Sequence, residues 1–184
     1  MKLSSMLNSA IVCAAKKDVR YYLNGVNIYY KEDSIRAIAS TDGHTAQLLS
    51  INADESKNLA GYDNLIVSLD DAKRLIAIYN AEDALDISVK GIIEHIEPVD
   101  GRYPDISRII PTEASTQDGE LVLGADYKYL ARVNASMTKL NKGYKAKYSH
   151  AKFTFNGAYK AIRVDADSAD MSVKMLMVIM PCRL

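Results

Sequence analysis

Ser40, Asp42 and His44 bring the residue types of a hydrolytic triad into five consecutive positions of this 184-residue chain. Triad partners normally come from separate elements, and these three crowd onto one turn, so catalysis is not the reading they support. His44, His95 and His150 lack metal-ligand spacing and have no acid cluster beside them. No Gly-rich phosphate loop follows a strand. The residues predict no enzyme, no metal and no cofactor, which leaves recognition as the chemistry to look for.

Charge points the same way. The net charge is zero, yet residues 1–112 carry 12 basic and 16 acidic side chains, whereas residues 113–184 carry 11 and 7. From Tyr127 to Val164 there are nine Lys or Arg and no acid. A stretch of one sign attracts polyanions. The alternative is a solvated face whose acids lie elsewhere in space. Lys139, Lys142, Lys145 and Lys147 read equally as an unspecific basic loop.

No run approaches the roughly 18 apolar residues of a membrane span, and the first five residues do not resemble a secretory signal. Cys13 and Cys182 lie far apart, which predicts buried thiols in a reducing cytoplasm rather than a disulfide.

The elements that must position these residues form a pattern of strand, amphipathic helix and further strands, met three times. In the first unit Met6, Leu7, Ala10, Ile11 and Ala14 make a helical stripe ended by Lys16-Lys17-Asp18. Strands are predicted at Tyr21–Leu23, Val26–Tyr30, Ile35–Ala39 and Ala46–Ile51, with Asn24-Gly25 as a hairpin turn. The second unit opens at Leu65–Val67, and Ser68 caps a helix with Asp70 and Asp71 in its first turn and Ala72, Leu75, Ile76 and Tyr79 inward. Leu85–Val89 and Ile92–Ile96 read as strands. The third begins at Leu121–Leu123, has a helix capped by Asp126 with Leu130, Val133 and Met137 inward, and continues through strands at Lys147–Phe155, Tyr159–Val164 and Met171–Met180, with a turn at Asn156-Gly157. Thr112 to Asp118 is a polar linker. Strands dominate and each unit has one helix, so the class is α+β.

Two groups of strings then acquire a meaning together: Arg20-Tyr21-Tyr22-Leu23-Asn24-Gly25 with Thr41-Asp42-Gly43-His44, and Arg102-Tyr103-Pro104-Asp105 with Met180-Pro181-Cys182-Arg183-Leu184. In this order they resemble the bacterial DNA polymerase III beta subunit, or sliding clamp, family. The resemblance implies a DNA-clamp fold of three strand-helix-strand units. Residues 1–112 resemble the complete middle clamp domain, and residues 113–184 the second half of the last domain. The first domain and the first half of the third have no counterpart here. A short, rearranged relative of this kind suggests a phage or mobile element.

The resemblance also implies a pocket for short peptides of DNA polymerase and the clamp loader, lined here by Leu23, Thr41, Gly43, His44, Pro104, Arg108, Ile109, Val178, Met180, Pro181 and Arg183. The apolar members suit Leu or Phe anchors, and the two arginines suit polar groups or a carboxylate. Thr45 and Ala46 follow Gly43-His44 where the family has a basic residue and Leu, which removes charge and bulk from the pocket's edge. On the DNA side the resemblance implies Lys17, Arg20, Tyr21, Tyr22, Lys73, Arg74, Lys128, Arg132 and Lys139, meeting the phosphates of duplex DNA without reading bases. Tyr21 and Tyr22 read equally well as strand packing.

Clamps of the family close rings of twelve such units, so four copies with three units each are expected: a homo-oligomer, a homotetramer with dihedral symmetry. Its half-domain contact would bury Met171, Val173, Met175 and Met177, and first units would meet at the other interface. The expected function is a DNA sliding clamp and processivity factor. The alternatives are a clamp mimic that binds polymerase or loader peptides without encircling DNA, and a simple nucleic-acid-binding module acting through residues 127–164.

Overall fold

The structure is a computed structural model. It describes residues 2–51, 59, 61–80, 88–111, 123–144, 150–157 and 159–182. The linker Thr112–Asp118, Leu85–Ile87, Leu121, Lys145, Lys147 and Arg183 lie outside the described residues.

The elements in chain order are α1 (Leu3–Ala10), β1 (Gly25–Lys31), β2 (Ser34–Thr41), β3 (Thr45–Ser50), β4 (Asp63–Ser68), α2 (Leu69–Ile78), α3 (Val89–Ile93), α4 (Tyr127–Leu140), β5 (Lys152–Thr154), β6 (Ile162–Asp167) and β7 (Lys174–Ile179). Short 3-10 turns lie at Tyr21–Leu23 and Ile106–Ile109. The strands form one antiparallel sheet in the order β4-β1-β2-β3-β7-β6-β5. β7 therefore joins the last part of the chain to the first, with Ala46 opposite Val178 and Leu48 opposite Leu176.

Alternation along the strands gives the sheet two apolar faces. Ile28, Ile38, Leu49, Val164, Met175 and Met177 join α1, α2 and α4 in one core. On the other face Tyr29, Ala37, Ala39, Ala46, Leu48, Leu176 and Val178 meet Leu23, Tyr103 and Ile106 from the connecting segments. Arg36 is an extra residue in β2 where the register with β1 shifts, which returns Ile35 to the helix face. Helix α1 lies between α2 and α4. A buried polar cluster fastens α1, β3 and α4: Ser9 Oγ is 2.6 Å from Ser136 Oγ and accepts from Gln47 Nε2 at 2.9 Å.

Helix caps follow local chemistry. Ser68 Oγ accepts the Asp71 N–H at 3.1 Å, Ser88 Oγ that of Gly91 at 3.0 Å, and the Asp126 carboxylate that of Lys128 at 2.8 Å.

Several expectations are corrected. β7 is an interior strand, and Val173, Met175 and Met177 are buried because their face of the sheet lies in the core with α1, α2 and α4; of the four only Met171, in a turn with φ +58°, is exposed. The uncovered apolar surface of this region is instead at the β5 end, where Phe153 and Phe155 are both exposed with ring centres 6.5 Å apart. Since α1 is central, the free flank opposite β5 belongs to β4 and α2. Tyr21–Leu23 is a 3-10 turn, and Val89–Ile93 is a helix that takes in the end of the strand expected at Leu85–Val89 and the start of that expected at Ile92–Ile96. Asn24-Gly25 is no hairpin turn. A Cβ at Gly25 would clash with the Val67 carbonyl oxygen, so close strand approach is what requires glycine there. The β1–β2 hairpin turns at Glu32-Asp33, where both residues have positive φ, 49° and 69°, as a type I′ turn requires. Asn156-Gly157 lies in a longer β5–β6 connection, α1 is shorter than its apolar stripe, and Leu130 is partly exposed. Cys13 is buried, and desolvation raises its thiol to about 12; Cys182 is exposed.

Candidate functional site

The β2–β3 turn is built by its own side chains. Asp42 Oδ1 accepts the N–H groups of His44 and Thr45 at 2.9 and 2.8 Å, an Asx turn. Thr41 Oγ1 donates to the Thr45 carbonyl at 2.7 Å and accepts the Gly43 N–H at 3.1 Å. Gly43 has φ +88°, and a Cβ there would meet Arg20 Nη2 at 3.2 Å.

Three further segments converge on this turn. Tyr103, buried, accepts the Thr41 N–H on its hydroxyl at 2.9 Å, and burial pushes that hydroxyl's pKa up. After it, Asp105 caps the 3-10 turn by accepting the Ser107 N–H at 3.1 Å and holds Arg108 Nε at 3.1 Å. That segment is tied to β6 by Arg163 Nη1, which donates to the Pro111 carbonyl at 3.1 Å. Beyond β7, the Met180 N–H donates to the His44 carbonyl, and the Cys182 N–H to that of Gly124 before α4, both at 2.9 Å.

The expected peptide-lining residues divide accordingly. Leu23 and Val178 are buried in one cluster with Tyr103 and Ile106, and Thr41 is buried under the Tyr103 hydroxyl. Gly43, His44, Pro104, Arg108, Ile109 and Met180 are exposed, and Pro181 is half-buried. The arrangement is a buried apolar floor with exposed apolar and basic side chains on the segments crossing it. It assembles no triad. Ser40 is buried and donates to the Ala10 carbonyl at 2.6 Å, Asp42 is paired with Arg132, and His44 stacks on Tyr129. Among the described residues no group of three or more His, Cys, Asp or Glu side chains is placed to hold a metal ion.

The expected DNA-facing residues are more scattered. Lys17 and Lys128 are exposed, and Lys139 is half-buried. Arg20 chelates Asp18, with Nε–Oδ1 3.0 Å and Nη2–Oδ2 2.9 Å, and belongs to the Gly43 side of the molecule. Tyr21 and Tyr22 meet edge to face. On α2 the acids neutralise the bases: Lys73 pairs with Asp70 at 2.9 Å and Arg74 with Asp71 at 2.8 Å. Arg132 is held internally by Asp42 and the Thr45 hydroxyl, with only a quarter of its side-chain surface exposed. It is therefore a structural cation of the turn.

Sequence reading missed the roles of Tyr103, Tyr129 and Arg132. Tyr129 and Arg132 are an i, i+3 pair and so share a helix face. Nothing local in the sequence points across to a turn 90 residues away.

A profile of the DNA polymerase III beta subunit, central domain, matches residues 1–105. The chain belongs to the DNA polymerase III beta subunit family. The beta sliding clamp of Pseudomonas putida KT2440 is 29% identical over 118 residues, which cover 60% of this chain and 32% of that protein. The beta sliding clamp of Escherichia coli K12 is 28% identical over 135 residues, 70% of this chain and 36% of its own. The chain thus spans about a third of the length of the curated relatives it matches. Among solved structures, the DNA polymerase III subunit beta of Pseudomonas aeruginosa superposes with a TM-score of 0.71 at 17% identity, covering 99% of this chain and 64% of that one. That of Thermotoga maritima does so with 0.68 at 15%, covering 99% and 63%. These likenesses establish the clamp fold, and the family match covers the turn and the Tyr103 segment but not β7. No helix among the described residues is long and apolar enough to cross a membrane.

Proposed function

We propose that this protein is a DNA sliding clamp, a cytoplasmic processivity platform that encircles duplex DNA and has no chemistry of its own. It recruits DNA polymerase and clamp-loader proteins through short peptides. The observation that carries the reading is the convergence of Leu23, Thr41, Tyr103 and Val178 into one buried floor, with exposed Pro104, Ile109, His44 and Met180 on the segments around it. A peptide Leu or Phe seated on such a floor contributes about 2 kcal/mol or more.

The division into a complete domain, 1–112, and a half domain, 113–184, is part of this proposal, although one sheet runs through both. So is the ring. Four copies would supply the helices of a full circle, with the half domains meeting about two-fold axes at the short β5 edge, where Phe153 and Phe155 need cover. The β4–α2 flanks would meet at the other interfaces. Light scattering of the 184-residue chain at micromolar concentration should give about four times its mass of 20.3 kDa; a monomer alone would rule out the ring.

A second reading, the clamp mimic, is favoured by the neutralised α2 surface, which offers phosphates little net charge. Retention on nicked circular DNA that is lost when the DNA is linearised marks a ring. Equal behaviour on both forms, with peptide binding intact, marks the mimic.

A further inference from the structure

One face of the sheet is covered by helices, and the cover stops short at one end. Helix α1 packs against α2 on one side and α4 on the other. Ala72 and Leu75 of α2 share a core with Leu65 and Val67 of β4, so a helix reaches the β4 end. At the β5 end Phe153 stands opposite Val164, whose side chain lies in that same core. Cross-strand partners share a face, so Phe153 points to the helix layer, and the Phe155 ring stacks beside it. Both rings are exposed, because among the described residues no helix packs beyond α4 to cover them.

Helix α4 has an unpaired flank of its own. Val133, Ser136 and Leu140 are its buried side, and Ser136 meets Ser9 of α1. Tyr127, Leu130, Ala131, Asn134 and Thr138 are exposed. They follow the i, i+3, i+4, i+7, i+11 spacing of one helix stripe, the pattern of a face that packs against another helix. The stripe carries no charge, whereas Lys128, Arg132 and Lys139 share a different side of α4.

We propose that α4 pairs with α4 of a second copy of this chain, antiparallel about a two-fold axis near Asn134, so that each copy's helix covers the other's Phe153 and Phe155. Two observations favour a second copy over a different partner. An uncharged stripe meets itself without like-charge repulsion, as a two-fold contact requires. The molecule also uses the arrangement already: α2 beside α1 covers the β4 end as a second α4 would cover the β5 end. The inference rests on the two-fold contact of the ring reading above and deepens it, because the helix pair rather than the three-residue β5 edge holds the copies together. It holds whether assembly stops at two copies or continues to four.

The test is the mass of the full 184-residue chain by light scattering at micromolar concentration. Asn134→Glu and Asn134→Lys each set like charges against one another across the axis, and each alone should reduce the mass to about half that of wild type. An equimolar mixture of the two should recover the wild-type mass, because opposite charges then face each other, and recovery shows that both variants are folded. Lys128→Glu, on the basic side of α4, should leave the mass unchanged. In a Cys182→Ser background, which removes the exposed thiol, Asn134→Cys should form an intermolecular disulfide under mild oxidation and Lys128→Cys should not. Wild-type mass in both charged Asn134 variants overturns the inference and leaves the four-copy ring standing. If the mixture stays at the reduced mass, the disulfide decides, and its absence overturns the inference. A wild-type chain of two copies that forms the disulfide supports the inference and removes the ring, whereas a monomeric wild type overturns both.

Discussion

Tyr103 shows how one phenol organises the β2–β3 turn. Its hydroxyl is the acceptor for the buried Thr41 N–H, while its ring lies in the floor with Leu23 and Val178. Tyr103→Phe keeps the ring and strands the N–H, which should cost about 1–2 kcal/mol in urea unfolding. Asp42 makes a second prediction. Burial raises its carboxyl pKa, but the Thr45 N–H and then Arg132 outweigh that, so the net shift is downward. A depressed folded-state pKa stabilises the protein above the unfolded value of about 3.9, and the stabilisation is lost as pH falls through the folded value. Asp42→Asn should therefore be less stable than wild type at pH 7, and the gap in urea midpoints should narrow on acidification below about pH 4. A constant gap would mean that the charge on Asp42 contributes nothing.

At the scale of elements, glycines mark where backbone must come close. Gly25→Ala pushes a Cβ into the Val67 carbonyl and should cost about 3 kcal/mol. Gly91→Ala should be neutral or stabilising by up to about 1 kcal/mol, because its nearest contact, Ser88 Oγ at 3.4 Å, is ordinary and its site is helical. Calorimetry of the two variants should move Tm in opposite directions, or leave it unchanged for Gly91→Ala. These positions also explain what the sequence reveals. The helices α1, α2 and α4 and most strands are visible as 3.6- and 2-residue apolar periods, and the Asp126 and Ser68 caps as local chemistry. Asn24-Gly25 carries a strong hairpin signal, but the constraint that acts there comes from Val67, 42 positions on. The real turn, Glu32-Asp33, carries no glycine and gives no such signal. Short apolar runs such as Ile92–Ile96 do not separate strand from helix, and here the Ser88 cap decides for helix. In the candidate site, Leu23, Thr41 and Val178 follow from the family resemblance, whereas the Tyr103 hydroxyl on Thr41 and the Arg132 contact to Asp42 join residues 62 and 90 positions apart and leave no local signal.

For the whole molecule, the proposed clamp function makes the distribution of charge the test of which lysines meet DNA. With α2 neutralised and Arg132 engaged, Lys128 and Lys139 are the cations of α4 without an ion pair described. Lys128→Glu with Lys139→Glu should weaken salt-sensitive retention on circular DNA, with the slope of log affinity against log salt falling by about one for each lysine that meets a phosphate. Peptide affinity should not change. Loss of both activities would indicate unfolding instead.

The sheet order has one more consequence, for the time before the molecule is complete. β7 follows β1 to β6 in the chain and yet sits in the interior of the sheet, between β3 and β6. While a nascent chain is still short of Lys174, β3 is an open edge, with Ala46 and Leu48 beside unpaired backbone. Until β7 is made that edge is open to mispairing with another chain, and pairing with β7 is what closes it.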